Sequence, residues 1–522
     1  MGMVALCRGI GSAFVVTWGE YGAVSRFARE QGVSRQYVYR EAEQVLRAVE
    51  GTQAQREVDR LCHENAELRA QVTQLQKRLA VAVVLDDDKQ AEFACVGHAS
   101  GVTLPQCHTL LDVLVPGRAS SVATLGRRTQ EAGKKSAALL EVLDEATRPL
   151  VRDGAGDEIY VRDPVLMVVE QESLCWVSGH LSAAVSGEAW SQEFARLPNL
   201  EQLARDGGTG LAKGVALENA CRHEQGREPI VDQGDHFHAL LPGGVGVRKA
   251  EMRARQAFAK AEVVQEAADE RARRGEPRQA EATRAYHAWQ NAEQAMDAWQ
   301  TTERLWQQAK DAMPLITPEG ELNTRAKAEA ALAETLAQLP DSDFAKAKRA
   351  LQRPEMFNYL DRVEQKLKEL PFAPEITQAA VQHEALRRRP ELLKEDKPKA
   401  ALLRGVMLAC LVVLGKADNA GRQALAAVRE IFRRAYRASS LVECINSVLR
   451  MHQAQHRKLT QDMLDLKRLY WNCHTFRTGR RRGSTPYERL GVIVPKGMSW
   501  WELLKLTPEQ LRDKLSTAQK AA

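Results

Sequence analysis

Apolar positions along this chain change their spacing several times, and each change marks an element. Within Tyr21–Arg40, Val24, Phe27 and Ala28 recur at helical spacing, Gly32 interrupts, Ser34 stands where a helix N-cap belongs, and Val38 restarts an apolar face. The pattern predicts two short helices joined by a turn in which Gly32 accepts a positive φ. Arg35, Gln36, Tyr37 and Arg40 are left on the outer face of the second helix, the one that enters a major groove in a helix-turn-helix. Residues 1–50 are therefore read as a DNA-binding helix-turn-helix. The period becomes seven over residues 55–80, with Val58, Asn65, Val72 and Leu79 at one seam position and Leu61, Leu68 and Leu75 at the other. Residues 51–85 are predicted to form a short coiled coil, and a seam Asn favours a parallel pair, hence a homodimer.

Residues 86–148 read as helices broken near Gly101 and Val115–Arg118; a plain helical connector and a second DNA-binding unit carrying Arg127 and Arg128 fit equally. The spacing then turns strand-like. Asp157–Glu170 predicts two strands with a tight connection at Arg162–Pro164, Leu174–Val177 a third, a short strand ends at Asp206 before Gly207-Gly208, and Ile230–Asp232 is another. With the helix predicted from Gly187 to Leu197, residues 149–245 form a mixed α/β region. Residues 246–400 are helical, with Trp299 and Trp306 two turns apart on one face as core anchors. Residues 401–495 are again mostly helical, and 496–522 form a tail. The apolar run Val406–Leu414 is too short to span a bilayer and reads as buried, so no membrane partner is expected.

The net charge of +6 permits a polyanionic partner, and its concentration between Arg450 and Arg489 locates one. The loop with Arg477, Arg480, Arg481 and Arg482, together with Arg457, Lys458, Lys467 and Arg468, is a candidate phosphate-binding surface. Nine cysteines without any C-x-x-C pair argue against a zinc ribbon or a disulfide framework and fit a reducing cytoplasm.

Phosphoryl transfer on DNA needs hard oxygen ligands for divalent metals, so carboxylates from separate elements are the residues to seek. Asp157 is the first, with Glu158 and Asp163 as competitors; strand alternation sends Asp157 and Glu158 to opposite faces, so one of them faces the site. Asp206 is the second. Glu443 is the third, on a helix with Leu441, Ile445 and Val448 inward and with Glu443, Asn446 and Arg450 sharing a face suited to a metal beside a DNA phosphate. Asp232, Asp235, His236 and His238 form a further cluster, either an auxiliary metal or DNA contact or a structured turn.

Three segments, Asp157-Glu-Ile-Tyr-Val, Arg205-Asp-Gly-Gly and Ser440-Leu-Val-Glu-Cys-Ile-Asn-Ser, resemble the DDE transposases of bacterial insertion sequences. Leu469-Tyr-Trp-Asn-Cys-His-Thr-Phe and Ser484-Thr-Pro-Tyr-Glu-Arg-Leu-Gly491 are similar to the C-terminal signature of several such families. The likeness spans about residues 150–245 and 430–492. It implies an RNase H-like α/β core interrupted by a large all-α insertion, with Asp157, Asp206 and Glu443 holding two Mg²⁺ ions (Mn²⁺ able to substitute). It also implies cleavage at transposon ends and strand transfer into target DNA by a cytoplasmic, nucleoid-associated protein. A helix-turn-helix regulator without catalysis, and an RNase H-like nuclease that cuts without joining, are the alternatives.

Overall fold

The computed structural model describes all residues except 1, 50–52, 82–83, 390–396, 455–458, 493, 495–497 and 522, and the chain forms two compact units, 1–86 and 87–522. Arg457 and Lys458 lie outside the described residues.

The first unit contains α1 (Gly2–Trp18), α2 (Ala23–Glu30), α3 (Arg35–Val49) and α4 (Gln53–Val81). A Cβ at Gly11 would stand 2.9 Å from the Phe27 ring, so α1 and α2 meet where one has no side chain. Ala28, Val38 and Ala42 are buried, Gly32 has φ 64°, and the Ser34 hydroxyl accepts from the Tyr37 amide at 3.2 Å, as the turn pattern requires. Tyr37 departs from expectation. Its hydroxyl donates to Glu41 and accepts from Arg8, both at 2.7 Å, so the ring packs inward and ties α3 to α1. The exposed tyrosine of α3 is Tyr39. Along α4 the seam residues Leu61, Leu68, Val72 and Leu75 are each half exposed or more, an apolar stripe left uncovered among the described residues of this unit.

The second unit opens with α5 (Asp87–Ala99), α6 (Leu104–Leu114) and α7 (Val122–Thr147). Ala94, Cys107, Leu111 and Leu125 make a small core between them, while Leu139, Leu140, Val142 and Leu143 of α7 join the main core. Arg128 is held by Asp87 at 2.9 Å. The segment packs against the sheet as helical support.

Five strands follow: β1 (Asp153–Val161), β2 (Asp163–Glu170), β3 (Trp176–Leu181), β4 (Gln202–Arg205) and β5 (Val231–Gly234), with α8 (Gly187–Ala195) and α9 (Thr209–Glu224) as the links between β3, β4 and β5. The spatial order is β3-β2-β1-β4-β5; the first three form an antiparallel meander and β1, β4 and β5 are parallel. Period-two alternation sorts the two faces. Leu166, Val168 and Leu203 pack with Trp190, Phe194, Leu211 and α7, whereas Ala155, Ile159, Val165, Met167 and Val169 pack on the opposite side.

The helical block begins earlier than its composition suggests. α10 (His236–Arg273) starts directly after β5, capped by Asp235, and passes through Pro242. Cβ atoms at Gly243 and Gly246 would collide with Trp306 and Phe344, so the glycine-rich stretch that reads as a domain end is the seat of two core aromatics. Then come α11 (Gln279–Asp311), α12 (Arg325–Gln338), α13 (Asp341–Leu351), α14 (Asn358–Lys368), α15 (Pro374–Arg387), α16 (Lys397–Lys416) and α17 (Asp418–Arg433). Ala424, Val428 and Phe432 share the core of Trp306, Phe344 and Tyr359, so the block extends to α17 rather than ending at residue 400. α16 is not the buried element expected: Leu402, Leu408, Leu411, Val412 and Val413 are exposed. By length and composition Pro398–Lys416 could cross a membrane, because the helix outruns the strictly apolar run at its centre.

The chain returns to the sheet with α18 (Val442–Ala454) and α19 (Gln461–Cys473), and closes with α20 (Pro486–Leu490), α21 (Trp500–Leu504) and α22 (Pro508–Ala521). The inward residues of α18 are Val442, Ile445, Asn446 and Leu449, so the apolar face is turned from that expected of Leu441, Ile445 and Val448. Arg468 of α19 is buried and paired with Asp144, and the Lys467 ammonium donates to the Ala99 carbonyl at 2.6 Å. Both hold α19 against α5 and α7, and neither is available to DNA.

Candidate functional site: an acidic edge of the sheet

Parallel pairing aligns Gly156 of β1 with Arg205 of β4, and Arg205 with Gly234 of β5. One residue further along this register stand Asp157, Asp206 and Asp235, where β4 and β5 end. Three neighbouring strands therefore deliver an acid to the same edge, and α18 crosses it. Asn446, 2 % exposed, donates Nδ2 to Asp157 Oδ2 at 2.6 Å. Glu443, one turn earlier, stands 3.9 Å from His238 Nε2 and receives Arg450 Nη2 at 2.7 Å. Asp157, Asp206 and Glu443 thus come to one locality although the last lies far along the sequence.

Burial pushes the Asp157 carboxyl up to about 6; the neighbouring charges of Asp206 and Glu443 add to the shift, and the Asn446 hydrogen bond opposes it. Glu158 is pushed to about 7, by burial first and then by Asp206 and Asp157. Alternation does separate Asp157 and Glu158, yet the second acid is not lost to the site. A Cβ on Gly208 would sit 3.0 Å from Asp206 Oδ1 and 3.2 Å from Glu158 Oε1. Asp206 lies at the strand end, reachable from both faces, and its Oδ1 accepts from the Gly208 amide at 2.8 Å. Asp163, the other competitor, begins β2 beyond the far end of β1.

The Asp232–His238 cluster divides into two. Asp232 is gripped by Arg205 through two hydrogen bonds of 2.7 Å, and His236 is buried with Nε2 on the Met356 carbonyl, so both hold β5 to its neighbours. Asp235 and His238 belong to the acidic edge. Asp235 caps α10, takes the Ser439 hydroxyl at 2.5 Å and pairs with His238 Nδ1 at 2.8 Å. Burial would raise its carboxyl, but the hydrogen bonds from His238 and Ser439 outweigh it and hold the group below its usual range. That Asp235 hydrogen bond in turn raises His238, against the effect of burial.

The DNA-contact residues expected here fare differently. Asn446 is too buried to touch a duplex and acts on Asp157 instead. Arg450 is exposed and turned to Glu443. Arg481 donates to the Gln171 and Glu172 carbonyls and anchors its loop, leaving Arg477, Arg480 and Arg482 exposed. That loop sits by the turn after β2, near the amino end of β1 and away from the acids. Arg353, in the helical block, places its guanidinium against Gly207, where a Cβ would be 2.6 Å from Nη1. Composition hides Arg353 among many basic helix positions; only the fold singles it out.

Among the described residues no group of three or more His, Cys, Asp or Glu side chains is already gathered as a metal site. The donors nevertheless suit hard divalent cations. Mutually repelling carboxylates share a half-buried edge, Glu158 Oε2 and Asn446 Oδ1 are buried without a hydrogen-bond partner, and Gly208 adds no side chain between Asp206 and Glu158. Asp157, Asp206 and Glu443, with Glu158 beside them, are the residues that would hold such ions. Compared with family models, curated proteins and solved structures, the chain matches none.

Proposed function

We propose that this chain is a DNA transposase of the DDE type, with an RNase H-like core interrupted between its second and third acids by the helical block. The observation that carries the reading is the meeting of Asp157 and Asp206, on adjacent parallel strands, with Glu443 from a helix that returns only after the whole block. Bound divalent ions, Mg²⁺ or Mn²⁺, would activate the attacking oxygen and stabilise the leaving one. The remaining work falls to the chain. Asn446 fixes the Asp157 carboxylate, and Arg353 stands where it can meet a phosphate beside Asp206. Arg477, Arg480 and Arg482 hold flanking backbone without reading sequence. Arg35, Gln36 and Arg40 read the terminal repeats, and the uncovered α4 seam pairs two protomers so that two DNA ends are held together.

The test is cleavage and joining of end-bearing duplex DNA with Mg²⁺, wild type against Asp206→Ala. Cleavage and strand transfer by the wild type alone support the proposal. Binding with no cleavage makes the chain a helix-turn-helix regulator; cleavage with no joining makes it a nuclease.

A further inference from the structure

Glu443 is held differently from the other acids. Arg450, two turns along α18, donates Nη2 to its Oε2 at 2.7 Å, and His238 Nε2 stands 3.9 Å from its Oε1. The two side chains are not equivalent. His238 is backed by Asp235, whose side chain is fully buried and is itself fixed by Ser439, so the imidazole is part of the frame. The Arg450 side chain is 56 % exposed and reaches Glu443 from solvent. A carboxylate with one oxygen on a guanidinium offers a metal less of its charge and leaves only the other oxygen unengaged.

We propose that Arg450 is a positioning residue that latches Glu443 until a DNA phosphate takes its guanidinium, so that DNA loading releases the third carboxylate to the metal site. The proposal rests on the reading of Asp157, Asp206 and Glu443 as the metal-binding set. The exchange is chemically favourable. An exposed ion pair is weakly held, whereas phosphate accepts the guanidinium fork through two parallel hydrogen bonds. Once Arg450 has turned away, His238 keeps Glu443 facing the sheet edge. Metal affinity then rises when DNA is bound, so the loaded site is favoured with substrate in place.

The experiment measures Mn²⁺ affinity of the full chain by electron paramagnetic resonance, with and without random-sequence duplex DNA at low salt. The Arg450→Gln variant is measured without DNA, and Asp206→Asn with it. The latch predicts that Arg450→Gln binds Mn²⁺ about fivefold more tightly than wild type when both are free of DNA, the range an exposed ion pair commands. It predicts a similar gain for wild type on adding DNA. Equal Mn²⁺ affinity of DNA-free wild type and Arg450→Gln overturns the latch and leaves the metal-site reading standing. Equal affinity of DNA-bound wild type and Asp206→Asn overturns the metal-site reading itself. Because Arg450 is exposed on one turn of a helix, its replacement leaves the fold intact, which circular dichroism checks.

Discussion

Replacing Asp206 by Asn removes one negative charge from the acidic edge while keeping the oxygen that accepts the Gly208 amide. The structure fixes the sign of the outcome in two conditions. Asp157 is displaced from 3.8 to about 6 and Glu158 from 4.5 to about 7, together several kcal/mol of unfavourable ionisation at neutral pH by the usual ~1.4 kcal/mol per unit. Burial is the larger cause in both, and Asp206 contributes only part of the remainder. Neutralising it therefore returns about 1 kcal/mol to the metal-free protein, roughly a 2 °C rise in Tm for a unit of this size. With Mg²⁺ at a hundredfold excess over its dissociation constant the wild type gains about 2.7 kcal/mol, since the ion binds only the folded chain. The variant has lost a ligand and gains far less. Calorimetric melting in chelator and again in Mg²⁺ should thus show the two curves exchanging order. Equal Mg²⁺ gains in the two proteins would refute the placement of Asp206 at a metal site, and a variant less stable than wild type in chelator would refute the claimed repulsion.

The same structure sets four further outcomes. Asp157 and Glu158 have folded pKa values above their unfolded ones, so their contribution is fully present below about pH 4 and lost as pH rises toward about 7; the Tm difference between metal-free wild type and Asp157→Asn/Glu158→Gln, followed by melting across that range, should shift in the variant's favour with rising pH. Arg468→Met removes one of the two arginines that pair the buried Asp144, leaving Arg148, and should cost about 1.5–3 kcal/mol in denaturant unfolding, where an exposed phosphate-binding arginine would cost almost nothing. Tyr37→Phe, which loses hydrogen bonds to Arg8 and Glu41, should destabilise the N-terminal unit by about 1 kcal/mol, whereas Arg35→Ala and Arg40→Ala should weaken DNA binding in a gel-shift titration without lowering its Tm. Leu68→Lys in the exposed α4 seam should dissociate the homodimer in light scattering, and a wild type that is already monomeric removes that assignment.

What the sequence could disclose follows from the range over which each signal acts. Short-range signals transfer well: the glycine turn at Gly32, the Ser34 hydroxyl at the start of α3, the helix of α4, and strand β4 ending just before Asp206 all depend on neighbours a few positions away. Facing is harder, because the rotation of a helix is set by what it packs on. Asn446 and Glu443 share a face by spacing, yet only contact with β1 reveals that Asn446 sits beneath Asp157 while Glu443 stands at the rim. Lys467 and Arg468 illustrate the same limit from the other side. Their charge suggests a surface, but Asp144 and the end of α5, more than three hundred positions away, give them buried partners. The start of the helical block is hidden for a steric reason: glycines opposite Trp306 and Phe344 are indistinguishable from loop glycines until the aromatics are in place. Asp235 is the most instructive case. In sequence it is one polar residue among several before a helix, with a capping role that accounts for it fully. Register with Asp157 and Asp206 makes it the third acid along one strand edge, and the Ser439 and His238 hydrogen bonds engage that acid behind the imidazole that faces Glu443. The site is therefore written in two layers. The acids that face open space are visible from local context. The groups that aim them are defined only by pairing between strands and helices distant in the chain, and their substitution should alter metal affinity before it alters the fold.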